Sequence, residues 1–271
     1  MIAKTKIAVI GAGKLGEALI GGMLDARIVK KDQFTATAAH RERIDAIQKK
    51  FGIKVTLSNG EAVRKSRIVL LCVKPQAVEE VLRQIVDDLT PAHVLISVAA
   101  SVSTRFMENI LGKPVPVIRV MPNTPCLIRE GMAAVAAGTH ATEAQVQAAQ
   151  KMFEAMGRCI VVDEKHMDAV TALSASGPAF VYTIIESLVE GGVRVGLPRD
   201  IATLMASQMV HGAASMVLQT GEHPAKLKDI VTTPAGCTVD GLLELEEGGL
   251  RVTLIKAVDR ATRRARELVN G

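Results

Sequence analysis

Lys6-Ile7-Ala8-Val9-Ile10-Gly11-Ala12-Gly13-Lys14-Leu15-Gly16 is the stretch that decides the fold of this chain. Ile7, Val9 and Ile10 form a short apolar run, which reads as a buried parallel strand. The run passes directly into Gly11–Gly16, a complete G-x-G-x-x-G. Leu15, Ala18, Leu19, Gly22 and Met23 then share one helical stripe. Strand, glycine turn and helix in this order are the context in which the motif marks a dinucleotide site. Gly11 permits the tight turn, Gly13 lets the backbone approach a pyrophosphate, and Gly16 lets the helix lie close to the strand. The helix N-terminus, opened by Lys14 and Leu15 after Ala12 and Gly13, then faces the phosphates. The alternative is a glycine-rich turn that binds nothing.

The chain has 271 residues, enough for two domains with a large core. Aromatic residues make up only 2%, so Leu, Val, Ile, Ala and Met must fill that core. The first residues lack a signal-peptide pattern, and no stretch of about 18 apolar residues suggests a membrane span. Cys72, Cys126, Cys159 and Cys237 are far apart in sequence and form no C-x-x-C pair. Reduced thiols in a cytoplasmic protein are therefore expected, with no disulfide and no metal site. Much of the net charge of +5 comes from Lys256, Arg260, Arg263, Arg264 and Arg266. Their helical spacing, with Glu267 interleaved, reads as a solvated helix face and not as a nucleic-acid patch. A basic surface favours an anionic substrate and cofactor.

The second strand, Gln33–Thr37, arrives about 20 residues after the glycine turn, where NAD-binding folds usually carry an Asp or Glu for the ribose. Here the strand ends in Thr37-Ala38-Ala39-His40-Arg41-Glu42-Arg43. A basic cluster at that point suits a 2′-phosphate, so NADPH is expected ahead of NADH. The alternative is ordinary surface charge at the start of the helix that ends at Phe51. Val55–Leu57 is a short strand, with Ser58 or Asn59 as the cap of the helix after it. Arg67–Val73 is a strand that stops at Lys74-Pro75, and Pro75 suits the first turn of the helix reaching Leu89. Val94–Ala100 is another buried strand, after which Ser103 caps a helix ending near Gly112. Val115–Met121 leads to Met121-Pro122-Asn123-Thr124-Pro125, a stiff loop at the strand end where open α/β sheets bind ligands. Met132–Ala137 is a strand, Thr142 with Gln145 forms a capping box, and Cys159–Val162 is the last strand.

From Asp163 the pattern becomes helical throughout. The expected division is residues 1–162 as a Rossmann-type doubly wound α/β domain and 163–271 as an all-α domain. Helical stripes cover Lys165–Ser174, Ala179–Val195, Arg199–Gln219, Pro224–Val231, Thr238–Glu247 and Leu250–Asn270. Breaks fall at Ser176-Gly177-Pro178 and Gly196-Leu197-Pro198. Ala179–Val195 and Ile201–Leu218 are apolar on more faces than one chain can cover, which points to a homodimer or a multiple of dimers. Thr232–Thr238 brings an irregular turn to a helix N-terminus, whose free N–H groups would hold a carboxylate. Thr238 adds a hydroxyl there, either as a substrate donor or as a plain N-cap.

Most of the chain resembles pyrroline-5-carboxylate reductase. The shared blocks are Gly11–Gly16, Val73–Pro75, Met121–Pro125, Leu173–Phe180 (LSASGPAF), Glu190–Pro198 (EGGVRVGLP), His223–Thr238 (HPAKLKDIVTTPAGCT) and Leu245–Arg251. The resemblance implies reduction of a cyclic imino acid by NADPH, with NADH possible, and a helical domain that intertwines with a second subunit. It also implies cofactor contacts from Gly11–Gly16, Asn59, Val73, Lys74, Pro75, Ala100 and Asn123, with His40 and Arg41 at the 2′-phosphate. Gly236, Cys237 and Thr238 match the substrate-carboxylate loop and its hydroxyl, and Glu222 stands one place displaced from the family's Glu. Where the family's turn usually reads Pro-Gly-Gly, this chain has Pro234-Ala235-Gly236, which argues against a positive φ at residue 235.

No His, Lys or Tyr recurs in these blocks as a general acid. A cyclic imine can take its proton from water, so positioning and carboxylate binding suffice. His211 is expected to be a satisfied buried side chain, His166 and His223 helix-end residues, and Lys74 a phosphate or ribose contact. Two other classes share the layout. A β-hydroxyacid dehydrogenase needs a lysine shortly after a glycine-rich helix start, where this chain offers Ala179, Phe180, Val181 and Tyr182 after Ser176-Gly177-Pro178. A non-catalytic dinucleotide sensor would bind NADPH without turning over any imine.

Overall fold

In the computed structural model, which describes residues 5–270, β1 (Ile7–Ile10) passes through the glycine turn into α1 (Lys14–Asp25). There follow β2 (Phe34–Thr37), α2 (Arg41–Phe51), β3 (Lys54–Thr56), α3 (Asn59–Arg64), β4 (Ile68–Leu71) and α4 (Val78–Ile85). Next come β5 (Val94–Ser97), α5 (Thr104–Leu111), β6 (Val117–Met121), β7 (Gly131–Ala137), α6 (Glu143–Glu154) and β8 (Gly157–Val161). The strands form one sheet in the order β3-β2-β1-β4-β5-β6-β7-β8. The first six are mutually parallel, β7 pairs antiparallel with β6, and β8 runs parallel to β7. This is the expected doubly wound sheet, and its order reverses direction between β1 and β4.

Period-two alternation places the strand side chains in two separate cores. Ile7 and Val9 join Phe34, Ala36, Ile68 and Leu70 under α1, α2 and α6. Ala8 and Ile10 join Val69, Leu71, Leu95 and Val117 under α3, α4 and α5. Both faces are thus covered, which is why the strands read as continuous apolar runs. Local signals set the helix ends. Ser58 accepts from Glu61 N–H, so Ser58 is the cap and Asn59 the first helical residue. Ser103 caps α5, which Gly112 ends in the left-handed region, and the Thr142–Gln145 capping box opens α6.

Two strands stop earlier than their apolar runs. β4 ends at Leu71 and β5 at Ser97, so Val73 and Ala100 lie in the loops beyond them. Beyond Val161 no further strand follows among the described residues. The chain continues through α7 (Met167–Val170), α8 (Gly177–Arg194), α9 (Arg199–Thr220), α10 (Pro224–Ile230), α11 (Cys237–Glu247) and α12 (Leu250–Asn270). The expected break falls at Ser176, a bend that follows one turn of π-helix over Thr171–Ala175, with Ser176 N–H donating to Thr171 C=O at 2.9 Å. The i→i+5 bond accommodates an extra residue in the turn before the bend.

The chain divides into two compact units. One holds the sheet and runs to Ser176, together with the residues from Ala261 onward; the other is Gly177–Arg260. The second unit buries little on its own: Val189, Ala202 and Ala206, with Ile185 and Val193 beside them. Tyr182, Val195, Leu204, Met205 and Met209 are exposed in the single chain. His211, expected to be buried, is exposed there as well. Two helical stretches, Glu164–Arg194 and Arg199–Thr220, reach a mean hydropathy of 1.3 and are long and apolar enough to cross a membrane. Core helices of soluble proteins meet the same length-and-composition test, and both stretches intersperse polar residues.

Candidate active site

The residues expected to bind a cofactor all lie just beyond the C-terminal ends of parallel strands. Gly11–Gly16 follow β1, His40 and Arg41 follow β2, and Asn59 follows β3. Val73, Lys74 and Pro75 follow β4, Ala100 follows β5, and Asn123 follows β6. Parallel strands place all of these on one edge of the sheet, around the β1/β4 reversal where such folds seat ligands.

The glycine turn is shaped as its motif requires. Gly11 has φ +85°, and a Cβ there would lie 2.6 Å from Val73 Cγ1. At Gly16 a Cβ would lie 2.9 Å from the Gly11 carbonyl oxygen, so the glycine lets α1 start directly beneath the turn. A Cβ on Gly13 would meet nothing within 4 Å. That open side faces no protein and suits the close approach of a pyrophosphate. Gly13 is the N-cap of α1 and supplies no side-chain acceptor, leaving the first amides of the helix to a ligand. The turn is also anchored: Gly11 N–H donates to Thr37 Oγ1 at 3.2 Å and Ala12 N–H to the Thr37 carbonyl at 2.8 Å.

His40 and Arg41 are exposed at the start of α2. Arg43, the third cation of that cluster, is engaged elsewhere: its Nε donates to the Ala12 carbonyl at 3.2 Å and its guanidinium pairs with Glu17. Lys74 is exposed, Asn59 Nδ2 donates to Gln84 Oε1 at 3.1 Å, and Ala100 is half-buried. The Asn123 side chain is spent on the protein. Its Oδ1 accepts from Met132 N–H at 2.9 Å and its Nδ2 donates to the Ser174 carbonyl at 3.3 Å. Asn123 thereby ties the stiff 121–125 loop to the π-turn of the LSASGPAF block.

In the helical unit, Thr232–Thr238 leads into α11, whose N-cap is Gly236 and whose first residue is Cys237. Thr238 is therefore the second residue of the helix and not its cap. The Gly236 N–H donates to the Thr233 carbonyl at 3.0 Å, so Cys237 and Thr238 carry the free amides. A Cβ on Gly236 would lie 2.4 Å from Thr233 Oγ1, which restricts the position to glycine. Ala235 holds φ +57°, so the left-handed backbone persists without the glycine. Glu222 pairs with Lys226 at 2.7 Å. Cys126 and Cys159 are buried, and burial pushes the Cys159 thiol up to about 12. No group of His, Cys, Asp and Glu suited to a metal occurs among the described residues.

A protein from Methanosarcina acetivorans called pyrroline-5-carboxylate reductase is 42% identical over 263 residues, covering 97% of each chain. The chain belongs to the pyrroline-5-carboxylate reductase family. The family profile described as pyrroline-5-carboxylate reductase dimerisation matches residues 164–268, and one described as NADP oxidoreductase, coenzyme F420-dependent, matches residues 6–101. The solved pyrroline-5-carboxylate reductase from Coxiella burnetii superposes with a TM-score of 0.92 at 32% identity, covering 97% of this chain and 98% of that one. The pyrroline carboxylate reductase of Plasmodium falciparum, solved with NADP bound, superposes with a TM-score of 0.89 at 30% identity over 98% of each chain. Among the residues of this reductase fold that the sequence reading missed, Thr37 and Glu17 anchor the glycine turn and its helix. Their signal was faint, because a Thr ending a strand and a Glu in a first helical turn are ordinary local choices.

Proposed function

We propose that the chain reduces the cyclic imine 1-pyrroline-5-carboxylate to proline with NADPH, and accepts NADH less well. The observation carrying this reading is the union of two features in one chain: the open, uncapped glycine turn and the family's Thr232–Thr238 loop. NADPH supplies the hydride. The amides of Lys14 and Leu15 would hold its pyrophosphate, and His40 and Arg41 its 2′-phosphate. Val73, Lys74, Pro75, Ala100 and Asn59, with the 121–125 loop at Asn123, would complete the cofactor edge.

On the substrate side, the amides of Cys237 and Thr238 would hold the carboxylate at the N-terminus of α11. The Thr238 hydroxyl, which caps nothing, is free to donate to the ring nitrogen as that nitrogen gains a lone pair. Gly236 shapes this turn, and Glu222, which the family resemblance assigns to the substrate side, pairs with Lys226. The imine proton comes from water, so the protein contributes orientation in place of a general acid. The exposed apolar side chains of α8 and α9 support a homodimer or a multiple of dimers. The four free cysteines and the solvated basic face of α12 support a soluble cytoplasmic enzyme acting on a small molecule, without nucleic acid or membrane as partner.

The test is NADPH oxidation with 1-pyrroline-5-carboxylate, run beside a 3-hydroxy acid in the reverse direction. Turnover of the imine alone is expected. Oxidation of the hydroxy acid would favour a β-hydroxyacid dehydrogenase, and tight NADPH binding with neither activity a sensor. Light scattering on dilute protein is expected to give a dimer or larger, and an active monomer of about 29 kDa would contradict the assembly.

A further inference from the structure

Glu17 lies in the first turn of α1, the helix whose N-terminus faces the cofactor phosphates, and its side chain is only 14% exposed. An unscreened carboxylate there would oppose any pyrophosphate. Two cations meet it, both from α2. Arg43 pairs with Oε1, and Lys50 Nζ sits 2.8 Å from Oε2. Arg43 does a second thing, since its Nε donates to the carbonyl of Ala12, in the middle of the glycine turn. The amide of the same Ala12 is held by Thr37.

We propose that Arg43 is a positioning residue of the cofactor site, which neutralises Glu17 and fixes the glycine turn, and takes no part in reading the 2′-phosphate. This rests on the reading of the turn as an NADPH site. The second βα unit then has two separate tasks two residues apart, on opposite sides of α2. Arg41, exposed, distinguishes the two cofactors. Arg43, with its guanidinium turned back toward α1, serves what both have in common.

The experiment measures NADPH and NADH dissociation constants by fluorescence titration of the full-length protein at low and physiological salt. Arg43→Ala is expected to weaken both cofactors by the same factor, roughly 3- to 10-fold at low salt. The NADPH-to-NADH ratio stays as in the wild type. Adding Glu17→Gln to Arg43→Ala is expected to recover the part of the loss that comes from the unneutralised carboxylate, with melting temperatures measured alongside to separate this from a folding defect. Glu17→Gln alone keeps the Ala12 bond and is expected to tighten both cofactors, so the proposal remains testable if Arg43→Ala does not fold. A loss confined to NADPH, no loss at all, no recovery in the double variant, or weaker binding by Glu17→Gln each overturns it. A wild-type chain that binds neither cofactor overturns this proposal and the site reading together. Binding of both cofactors with a failed recovery overturns this proposal alone.

Discussion

Arg119 and Glu164 are joined inside the sheet unit, with Nη1 3.4 Å from Oε1 and the arginine side chain only 3% exposed. Asp168 approaches the same guanidinium at 3.6 Å, and Glu164 also accepts from Thr104 N–H at 2.8 Å. The group thus ties β6 and α5 to the segment that follows the last strand. Arg119 Nε and Nη2 have no hydrogen-bond partner, so the charge is held by proximity more than by directed bonds. Arg119→Met should leave two carboxylates without their cation and cost about 3 kcal/mol. Adding Glu164→Gln and Asp168→Asn should return part of it. Urea unfolding reads both changes, and a neutral Arg119→Met would refute the account.

The three motif glycines should separate stability from binding. Gly11→Ala forces a Cβ against Val73 at positive φ and should lower the melting temperature. Gly13→Ala meets nothing and has φ −78°, so the fold should stand while cofactor affinity falls. Thermal melting beside NADPH titration checks the pair; a Gly13→Ala variant with normal affinity would mean that the pyrophosphate does not pass there.

Arg41→Ala should raise the Michaelis constant for NADPH much more than that for NADH, because only NADPH carries the 2′-phosphate. Equal effects, or a wild-type preference for NADH, would place the 2′-phosphate elsewhere.

Ala235 sits in the left-handed region, which costs a non-glycine residue about 1–2 kcal/mol. Ala235→Gly should therefore stabilise the chain by about 0.5–1 kcal/mol, the remainder offset by the freer unfolded glycine. A chemical denaturation series is sufficient, and a destabilised variant would show that Ala235 is relaxed.

Thr238→Ala should lower kcat/KM by roughly 10- to 150-fold, the loss of one hydrogen bond of about 1.5–3 kcal/mol to a group gaining charge. Because Gly236 is the cap, the melting temperature should barely move. Thr238→Ser should keep most activity. Wild-type kinetics in Thr238→Ala would leave the hydroxyl without a chemical role.

The residues that were legible in the sequence are those whose partners lie within a few positions. The glycine turn, the Ser103 cap and the Thr142–Gln145 box each close over three to six residues, and the structure keeps all of them. What was not legible depended on distant partners or on backbone alone. Nothing local distinguishes Arg41 from Arg43, and only the approach of α1 turns one inward. β4 reads as continuing to Val73 because apolarity persists, yet the strand ends at Leu71. Ser176-Gly177-Pro178 marks the bend at Ser176, but nothing in Thr171–Ala175 distinguishes a π-turn from ordinary helix. Thr238 reads as a possible cap because Thr favours that place, whereas the structure puts the cap at Gly236, two residues earlier.

The small core of the helical unit has a thermodynamic consequence. Val189, Ala202 and Ala206 are its main buried apolar residues and Leu204 is 71% exposed, which leaves its apolar surface to the subunit contact that the dimerisation profile describes. Its folding free energy then contains an association term, and mass action makes that term grow with protein concentration. The midpoint of thermal unfolding becomes a function of how much protein is in the tube, and dilution alone acts as a denaturant of Gly177–Arg260.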